Sequence, residues 1–172
     1  MFGVLKIEEL LSIEEHLDQL SDLLVRVVDD GASIGFLPAM KMEDARHYWQ
    51  TVLKPDVILF IAKIKNEIVG TIQIHLCNKQ NGLHRAEIAK LMTGPEARRK
   101  GVARTLMTVA EERAIREERT LLVLDTREGD PSNLLYQSLG YIPAGKIPNF
   151  ALSGEGKLDT TVIYYKILGS TQ

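Results

Sequence analysis

A short basic segment that leads into a predicted helix has the composition of an anion-binding site. Residues Glu96 to Arg104 carry four basic side chains and one acidic side chain, in a protein whose formal net charge is −2. The free N–H groups and the positive dipole end of a helix N-terminus attract anions. Gly101 lets the backbone approach an anion closely, and the small Ala103 does not crowd it. The pattern predicts a phosphate or pyrophosphate site, although a solvated basic helix start would have the same composition.

Other nucleotide sites and metal sites are disfavoured by the motifs that the sequence lacks. Neither G-x-x-x-x-G-K-[ST] nor a G-x-G-x-x-G after a predicted strand occurs, so ATP and NAD sites are disfavoured. No metal site is expected, because the histidines are scattered, with no H-E-x-x-H pattern and no cysteine partners. These histidines are His16, His47, His75 and His84.

Length and composition favour one globular domain, which we expect to span residues 1–172. Of these residues, 45% are hydrophobic and 26% are charged, which is ordinary globular composition. The net charge of −2 argues against a dedicated nucleic-acid-binding protein. Cys77 is the only cysteine, which excludes an intrachain disulfide and favours a reducing, cytoplasmic location. No apolar run approaches the ~20 residues that cross a bilayer, and the acidic N-terminus lacks a signal-peptide pattern.

Hydrophobic periodicity predicts the elements that must position the basic segment. A short strand is expected at Gly3 to Ile7, then a helix from about Ile13 to Val28 that begins with a capping box of Ser12 and Glu15. The later elements are a helix at 42–52, strands at 57–64, 68–77 and 87–93, a helix at 102–118, a strand at 121–124 buried on both faces, a helix at 131–139, and closing strands from 141 and at 161–168. The order β-α-α-β-β-β-α-β-α-β-β predicts a mixed sheet with helices on its faces.

Two spaced motifs resemble those of the GNAT family of acyl-CoA-dependent N-acyltransferases. Arg98 to Ala103 match the family's phosphate-loop pattern [Q/R]-x-x-G-x-[G/A], and Leu91 to Pro95 resemble the strand end before it. About thirty residues later, Tyr136 to Tyr141 read Y-x-x-x-G-Y, like the family's later helix and strand. The resemblance covers about residues 57–168 by its motifs and the N-terminal part by topology. It implies an α/β (α+β) fold with a mostly antiparallel central sheet of about seven strands and about four flanking helices.

A closer likeness connects the sequence to the tabtoxin-resistance acetyltransferase branch of this family. The stretches that carry it are residues 31–36, 85–92, 124–126 and 163–169. One position departs from the wider family, because many members place an asparagine seven residues before the helix tyrosine, where this sequence has Gly129.

The implied reaction, attack of an amine on the thioester of acetyl-CoA, sets three chemical tasks. An alkylammonium has a pKa near ~10, so a base is needed to make the amine neutral. The resemblance implies that a backbone N–H at the end of the Leu91–Thr93 strand stabilises the charge on the carbonyl oxygen. The leaving thiolate, whose thiol has a pKa of about 8.5, needs a proton donor.

Tyr136, Asp125 and Glu87 are the predicted catalytic residues. The tyrosine that matches Tyr136 approaches the sulfur in this family, which makes Tyr136 the expected acid. Asp125 follows the apolar run 121–124, and the matching aspartate in the tabtoxin-resistance branch is a proposed base. Glu87 is the rival base, since it stands 14 residues before Gly101, as a glutamate does in another branch. The structural alternatives are a packing tyrosine, a turn or cap residue and a strand-edge charge, respectively.

The resemblance also predicts where the two substrates bind. The pyrophosphate of acetyl-CoA is expected on the amides of residues 98–104, and the pantetheine along 91–93. The predicted cofactor-binding residues are Leu91, Met92, Thr93, Arg98, Arg99, Lys100, Gly101, Val102, Ala103, Arg104 and Asn133. On the acceptor side the candidates are Asp29, Asp30 and Phe36, with the loop 148–150, although a solvated loop would equally explain the two aspartates.

The sequence thus predicts a cytoplasmic N-acetyltransferase that uses acetyl-CoA and a small-molecule amine. The resemblance to the tabtoxin-resistance branch suggests an antimicrobial or toxin-like metabolite as the acceptor, and neither nucleic acid nor membrane is an expected partner. A homodimer is left open. The alternatives are an acetyltransferase for protein lysines or N-terminal amines and an acyl-CoA-binding sensor without catalysis.

Overall fold

A seven-stranded sheet forms the centre of the computed structural model, which describes residues 3–169. The strands are β1 (Leu5–Glu9), β2 (Val57–Ile64), β3 (Glu67–Leu76), β4 (Arg85–Thr93), β5 (Leu121–Arg127), β6 (Ile142–Leu152) and β7 (Leu158–Ile167). They lie in the order β1-β2-β3-β4-β5-β7-β6. All neighbours are antiparallel except β4 and β5, which are parallel.

Four α-helices pack against this sheet. They are α1 (Leu17–Asp29), α2 (Met42–Gln50), α3 (Val102–Arg116) and α4 (Ser132–Ser138), and short 3₁₀ turns at Glu14–His16 and Pro95–Ala97 precede α1 and α3. The predicted element order and the mixed α/β fold with seven strands and four helices are confirmed. None of the helices formed by the described residues is long and apolar enough to cross a membrane.

The alternation of side chains along β2 separates two hydrophobic cores. Ile58 belongs to the buried cluster that contains the apolar residues of α3, and Leu59 belongs to the cluster of α1 and α2. Adjacent strand residues point to opposite faces of a sheet, so an apolar run serves both cores at once. In the second core, Trp49 of α2 is fully buried, and its indole Nε1 donates a hydrogen bond of 2.9 Å to the carbonyl of Leu20 in α1.

The start of α1 differs from the prediction. The α-helix begins at Leu17, after the 3₁₀ turn, and neither element has a side-chain cap. The predicted capping box of Ser12 and Glu15 is therefore wrong, because the chain enters the helix through a tighter turn.

Strand β5 is longer and less buried than predicted. Its pairing with β7 continues to Arg127 opposite Thr161, so Asp125 lies within the strand rather than after it. Leu122 and Leu124 are buried, whereas their neighbours in the strand are half-buried or exposed. The prediction that this strand is buried on both faces is therefore wrong.

Strands β4 and β5 diverge along their length. Parallel pairs join only residues 85–87 of β4 to residues 121–123 of β5, although β4 continues to Thr93. Beyond Glu87, the edge of β4 that faces β5 has no partner strand. The gap between the two strands opens towards the N-terminus of α3.

A β-bulge bends β4 inside this gap. Lys90 and Leu91 of β4 lie between the pairs Met92–Thr71 and Ala89–Gln73, so two residues of β4 oppose one residue of β3. Lys90 has a φ of 51°. A bulge increases the local twist and redirects the side chains beside it, so the alternation of β4 changes at this point.

Candidate active site

A cleft of about 1000 Å³ lies where β4 and β5 diverge. Strands β4 and β5, the N-terminal ends of α3 and α4, and the loop after α1 form its walls. Among its lining residues are the three predicted catalytic side chains, nine of the predicted cofactor-binding residues and two residues from the acceptor-side candidates. These are Glu87, Asp125 and Tyr136; Leu91, Met92, Thr93, Arg98, Arg99, Gly101, Val102, Ala103 and Arg104; and Asp30 and Phe150.

The N-terminus of α3 presents groups that suit an anion. Gly101 is the N-cap residue with a φ of 79°, no side chain caps the helix, and its first turn contains no acidic residue. The first N–H groups of the helix therefore have no intrahelical acceptor and lie at the positive dipole end. A Cβ on Gly101 would meet no atom within 4 Å, so an anion can come close to the backbone. These residues fit a phosphate or pyrophosphate group.

Ion pairs tie the loop of residues 96–101, called the anion-binding loop here for the ligand that it suits, to the end of α1. Arg98 Nη1 lies 2.6 Å from Asp30 Oδ2, and Arg26 Nη1 lies 2.8 Å from Glu96 Oε2. Asp30, predicted on the acceptor side, thus contacts a residue predicted on the cofactor side. Lys100 donates from Nζ to the carbonyl oxygen of Glu96 at 2.8 Å, and it is not among the residues that line the cleft.

The free edge of β4 suits an extended ligand. On one side β4 pairs with β3, up to Thr93 opposite Gly70, while the other side after Glu87 lacks a strand. Residues 91–93 line the cleft along this edge. A strand edge of this kind binds an extended partner through main-chain hydrogen bonds, and pantetheine is a flexible chain with two amides.

Tyr136 of α4 lines the cleft although it is only 6% exposed. Its ring packs against Tyr141 and Tyr164, with 5.9 Å between ring centroids in both cases. Burial, reinforced by the negative charges of Asp125 and Asp130, raises the pKa of the hydroxyl well above its ordinary value. The hydroxyl therefore stays protonated at neutral pH and is available as a proton donor.

Asp125 projects into the cleft from β5. Its Oδ2 accepts a hydrogen bond of 2.7 Å from the hydroxyl of Thr161 on β7, which orients the carboxylate. Its charge acts both on Tyr136 and on Lys90. A carboxylate, a phenol and an ammonium group therefore line the same cleft, and the carboxylate is within electrostatic range of the other two.

Glu87 lies at the point where β4 and β5 separate. It is opposite Val123 of β5 and opposite His75 of β3. Its charge acts on Lys90, whereas Asp125 acts on Lys90 and on Tyr136. Of these two candidate bases, Asp125 is therefore the one that is electrostatically coupled to the phenol.

Lys90 is a cleft residue that the sequence analysis missed. Its ammonium lies 5.7 Å from the ring centroid of Phe36. Burial lowers the pKa of this ammonium, and the charges of Glu87 and Asp125 oppose that shift. A lysine in an alternating strand usually indicates a solvent-facing position, and the bulge that changes the alternation has no local sequence signal such as glycine.

Asn133, a predicted cofactor-binding residue, is not among the residues that line the cleft. Its side-chain amide donates to the carbonyls of Arg127 and Asp130, at 2.9 Å each. Its Oδ1 accepts a hydrogen bond of 2.8 Å from the hydroxyl of Tyr164. Asn133 thereby holds the turn between β5 and α4, next to Tyr136 but with its polar atoms engaged.

Two acceptor-side candidates also lie outside the cleft wall. Asp29 accepts a hydrogen bond of 3.1 Å from the backbone N–H of Met40, which fixes the connection between α1 and α2. Phe36 meets Tyr48 edge to face at 5.1 Å between centroids, and both line a separate depression. In the part of the chain that the structure describes, no group of three or more His, Cys, Asp or Glu side chains is placed to hold a metal ion.

Comparison with known proteins identifies the family. Residues 34–141 match the profile of the acetyltransferase (GNAT) family. An uncharacterized N-acetyltransferase in the hisH–hisA intergenic region of Azospirillum brasilense is 31% identical over 115 residues, which are 65% of this chain and 68% of that protein.

Solved structures share the fold at low sequence identity. An acetyltransferase of the GNAT family from Streptococcus pneumoniae has a TM-score of 0.79 at 18% identity, covering 96% of this chain and 100% of that one. An acetyltransferase from Salmonella typhimurium with its cofactor acetyl-CoA has a TM-score of 0.77 at 12% identity, covering 96% and 95%.

The cleft, the anion-binding loop and these matches define the class of protein as an N-acetyltransferase. The chain belongs to the GNAT family of acetyltransferases, and its cosubstrate is acetyl-CoA.

Proposed function

We propose that this protein acetylates the amine of a small molecule and that the whole chain forms one acetyltransferase domain. The observation that carries the proposal is the meeting of three features in one cleft: an anion-binding helix start, a free strand edge, and the pair Asp125 and Tyr136. The first two suit the diphosphate and the pantetheine of acetyl-CoA. The third supplies a proton acceptor and a proton donor.

In this proposal the chain holds acetyl-CoA mainly through its backbone. The pyrophosphate accepts hydrogen bonds from the backbone N–H groups of residues 98–104, which include Arg99, Lys100, Gly101, Val102 and Ala103. The arginine side chains of this segment add positive charge. The edge formed by Leu91, Met92 and Thr93 hydrogen-bonds the pantetheine. Asn133 contributes by fixing the start of α4, which carries Tyr136.

Asp125 is the proposed base. Only about one alkylamine in a thousand is neutral at pH 7, so the attacking nitrogen must lose a proton. Thr161 holds one carboxylate oxygen of Asp125, which leaves the other oxygen for the amine. Glu87 is the alternative base, since it lines the same cleft.

Tyr136 is the proposed acid. Its hydroxyl is protonated at neutral pH, and its proton would go to the departing sulfur. A backbone N–H at the end of β4 would face the carbonyl oxygen and stabilise the charge that develops there.

The proposed acceptor is an antimicrobial or toxin-like metabolite of the kind that the tabtoxin-resistance branch acts on. Support comes from the likeness of residues 31–36, because residues 31–35 line the cleft beside Lys90. A cytoplasmic location belongs to the same proposal, since Cys77 is a free thiol and acetyl-CoA is an intracellular metabolite.

The test measures CoA release with a panel of small primary amines and with peptides that offer an N-terminal amine or a lysine. We expect small amines to be acetylated with at least a hundredfold higher kcat/KM than peptides. Asp125→Asn should lower kcat by about 10²- to 10⁴-fold, and Glu87→Gln by much less. Glu128→Gln is the control, because Glu128 follows β5 but is not among the residues that line the cleft.

Three results would contradict parts of the proposal. A preference for peptides would show a protein acetyltransferase. A larger loss in Glu87→Gln than in Asp125→Asn would make Glu87 the base. Binding of acetyl-CoA with no CoA release above background for any amine or peptide would favour a sensor.

A further inference from the structure

Lys90 occupies a part of the cleft that is distinct from the anion-binding loop. The bulge of β4 carries it towards the connection between α1 and α2, where its ammonium lies 5.7 Å from the ring centroid of Phe36. A Cβ on Gly35 would lie only 3.2 Å from Lys90 Nζ, so the ammonium rests against the backbone of this connection. The arginines that serve the anion-binding loop come from the other wall, between β4 and α3.

The ammonium of Lys90 can donate three hydrogen bonds, but no acceptor among residues 3–169 receives one. Other lysines in this part of the chain form ion pairs within 4 Å, and Lys90 does not. Glu87 and Asp125 attract it from a longer distance, and Phe36 offers only its ring. A half-buried ammonium without an acceptor has lost part of its hydration without recovering hydrogen bonds.

The charges of this part of the cleft are complementary to a zwitterion. Lys90 supplies one positive group, and Asp125 supplies a negative group within electrostatic reach of it. A molecule with an amine at Asp125 and an anionic group at Lys90 would satisfy both. A simple alkylamine would satisfy Asp125 alone and would leave Lys90 without an acceptor.

We propose that Lys90 binds a carboxylate of the acceptor, so that the substrate is an amine that also carries a carboxylate, such as an amino acid or a short amino-acid-like metabolite. This inference rests on the proposed function, because it assigns the acceptor of the same cleft. It makes Lys90 a substrate-binding residue that determines specificity.

The experiment compares amino acids with the corresponding amino acid amides and with the decarboxylated amines. Rates are expressed per concentration of neutral amine, so that differences in amine pKa do not enter the comparison. We expect a kcat/KM at least about tenfold higher for the carboxylate-bearing member of each set, as one hydrogen bond between charged groups provides. Lys90→Met should abolish this preference. Lys79→Met, which removes an exposed lysine from a turn outside the cleft, should retain it.

Binding provides a readout that does not depend on turnover. Calorimetry with CoA present should show that an amino acid binds to the wild type at least tenfold more tightly than its amide, and that Lys90→Met removes the difference. Acetylation of amines without a carboxylate preference, or a preference that survives Lys90→Met, would overturn the inference while leaving the proposed function intact. Lys90-dependent binding of carboxylates without acetylation of any amine would instead overturn the proposed function and support the site. If no amine is acetylated and carboxylate binding does not depend on Lys90, both the inference and the proposed function would be overturned.

Discussion

Replacing Tyr136 by phenylalanine removes one proton donor and little else. The ring is 6% exposed and packs against Tyr141 and Tyr164 through its faces and edges, and phenylalanine preserves these contacts. The loss of folding stability should therefore stay within about 1 kcal/mol. A large fall in kcat in this variant would therefore reflect the chemical step and not a loss of folded protein.

The expected kinetic effect follows from the proton that the sulfur needs. Proton transfer by a positioned group contributes about 10²- to 10⁴-fold to a rate, which corresponds to about 3–5 kcal/mol of barrier. We therefore expect kcat of Tyr136→Phe to fall at least a hundredfold. The KM for acetyl-CoA should change by less than about threefold, since the diphosphate is expected on α3 rather than on α4.

The pH profile gives a second check on the same residue. Burial and the nearby aspartates raise the pKa of Tyr136, so its hydroxyl should remain protonated throughout pH 6 to 9. Ionisation of Tyr136 should therefore not lower the kcat of the wild type between pH 6 and pH 9. If the wild-type kcat does fall towards pH 9, the same fall should also be present in Tyr136→Phe.

Tyr141→Phe is the matched control, because Tyr141 belongs to the same buried ring cluster but is not among the residues that line the cleft. An assay of thiol release under saturating acetyl-CoA gives the kcat of the wild type, of Tyr136→Phe and of Tyr141→Phe. Equal kcat values for the wild type and Tyr136→Phe would refute the assignment of the acid. A similar loss in both variants would show that the ring cluster, and not the proton, controls the rate.

Three further predictions concern cofactor binding and stability. Gly101→Ala places a Cβ at a backbone φ of 79° and into the free space of the anion-binding loop. Calorimetry should show at least a tenfold weaker affinity for CoA, whereas the folding stability should fall by only about 1–2 kcal/mol. An unchanged affinity for CoA would contradict an anion site there. Trp49→Ala empties a fully buried position and removes the hydrogen bond to Leu20, so urea unfolding should show a loss of about 3–5 kcal/mol; a smaller loss than Trp49→Phe would contradict this packing argument. Burial lowers the pKa of Lys90 in the folded state, so the unfolded chain binds more protons than the folded chain between the two pKa values. Burying the charged ammonium therefore lowers the folding stability by its full amount below the folded-state pKa. This loss disappears as pH rises through the unfolded-state pKa near ~10.4. Lys90→Met should therefore raise the thermal midpoint at pH 7 by more than at pH 10, and a constant difference would show that Lys90 is not desolvated.

Local patterns were sufficient for most of the fold. The hairpin of β2 and β3 follows from two apolar runs around a short polar turn, and β2 has the predicted bounds of 57–64. Helix α3 begins at the predicted Val102 because Gly101 takes the left-handed conformation there. Such features depend on neighbouring residues, which the sequence displays directly. The capping box at Ser12 was predicted by the same local reasoning and is wrong, because a 3₁₀ turn replaces the first turn of the helix.

The sequence by itself determined the order of the elements and the basic loop before α3, because both depend on residue types at short spacing. Only the tertiary structure decided which side chains share the cleft. The bulge at Lys90 and the short pairing between β4 and β5 arise from contacts between strands that are distant in sequence. The same contacts bring Thr161 to Asp125 across 36 positions and engage Asn133 in the turn before α4. No local pattern encodes these meetings, since each depends on the register of one strand against another.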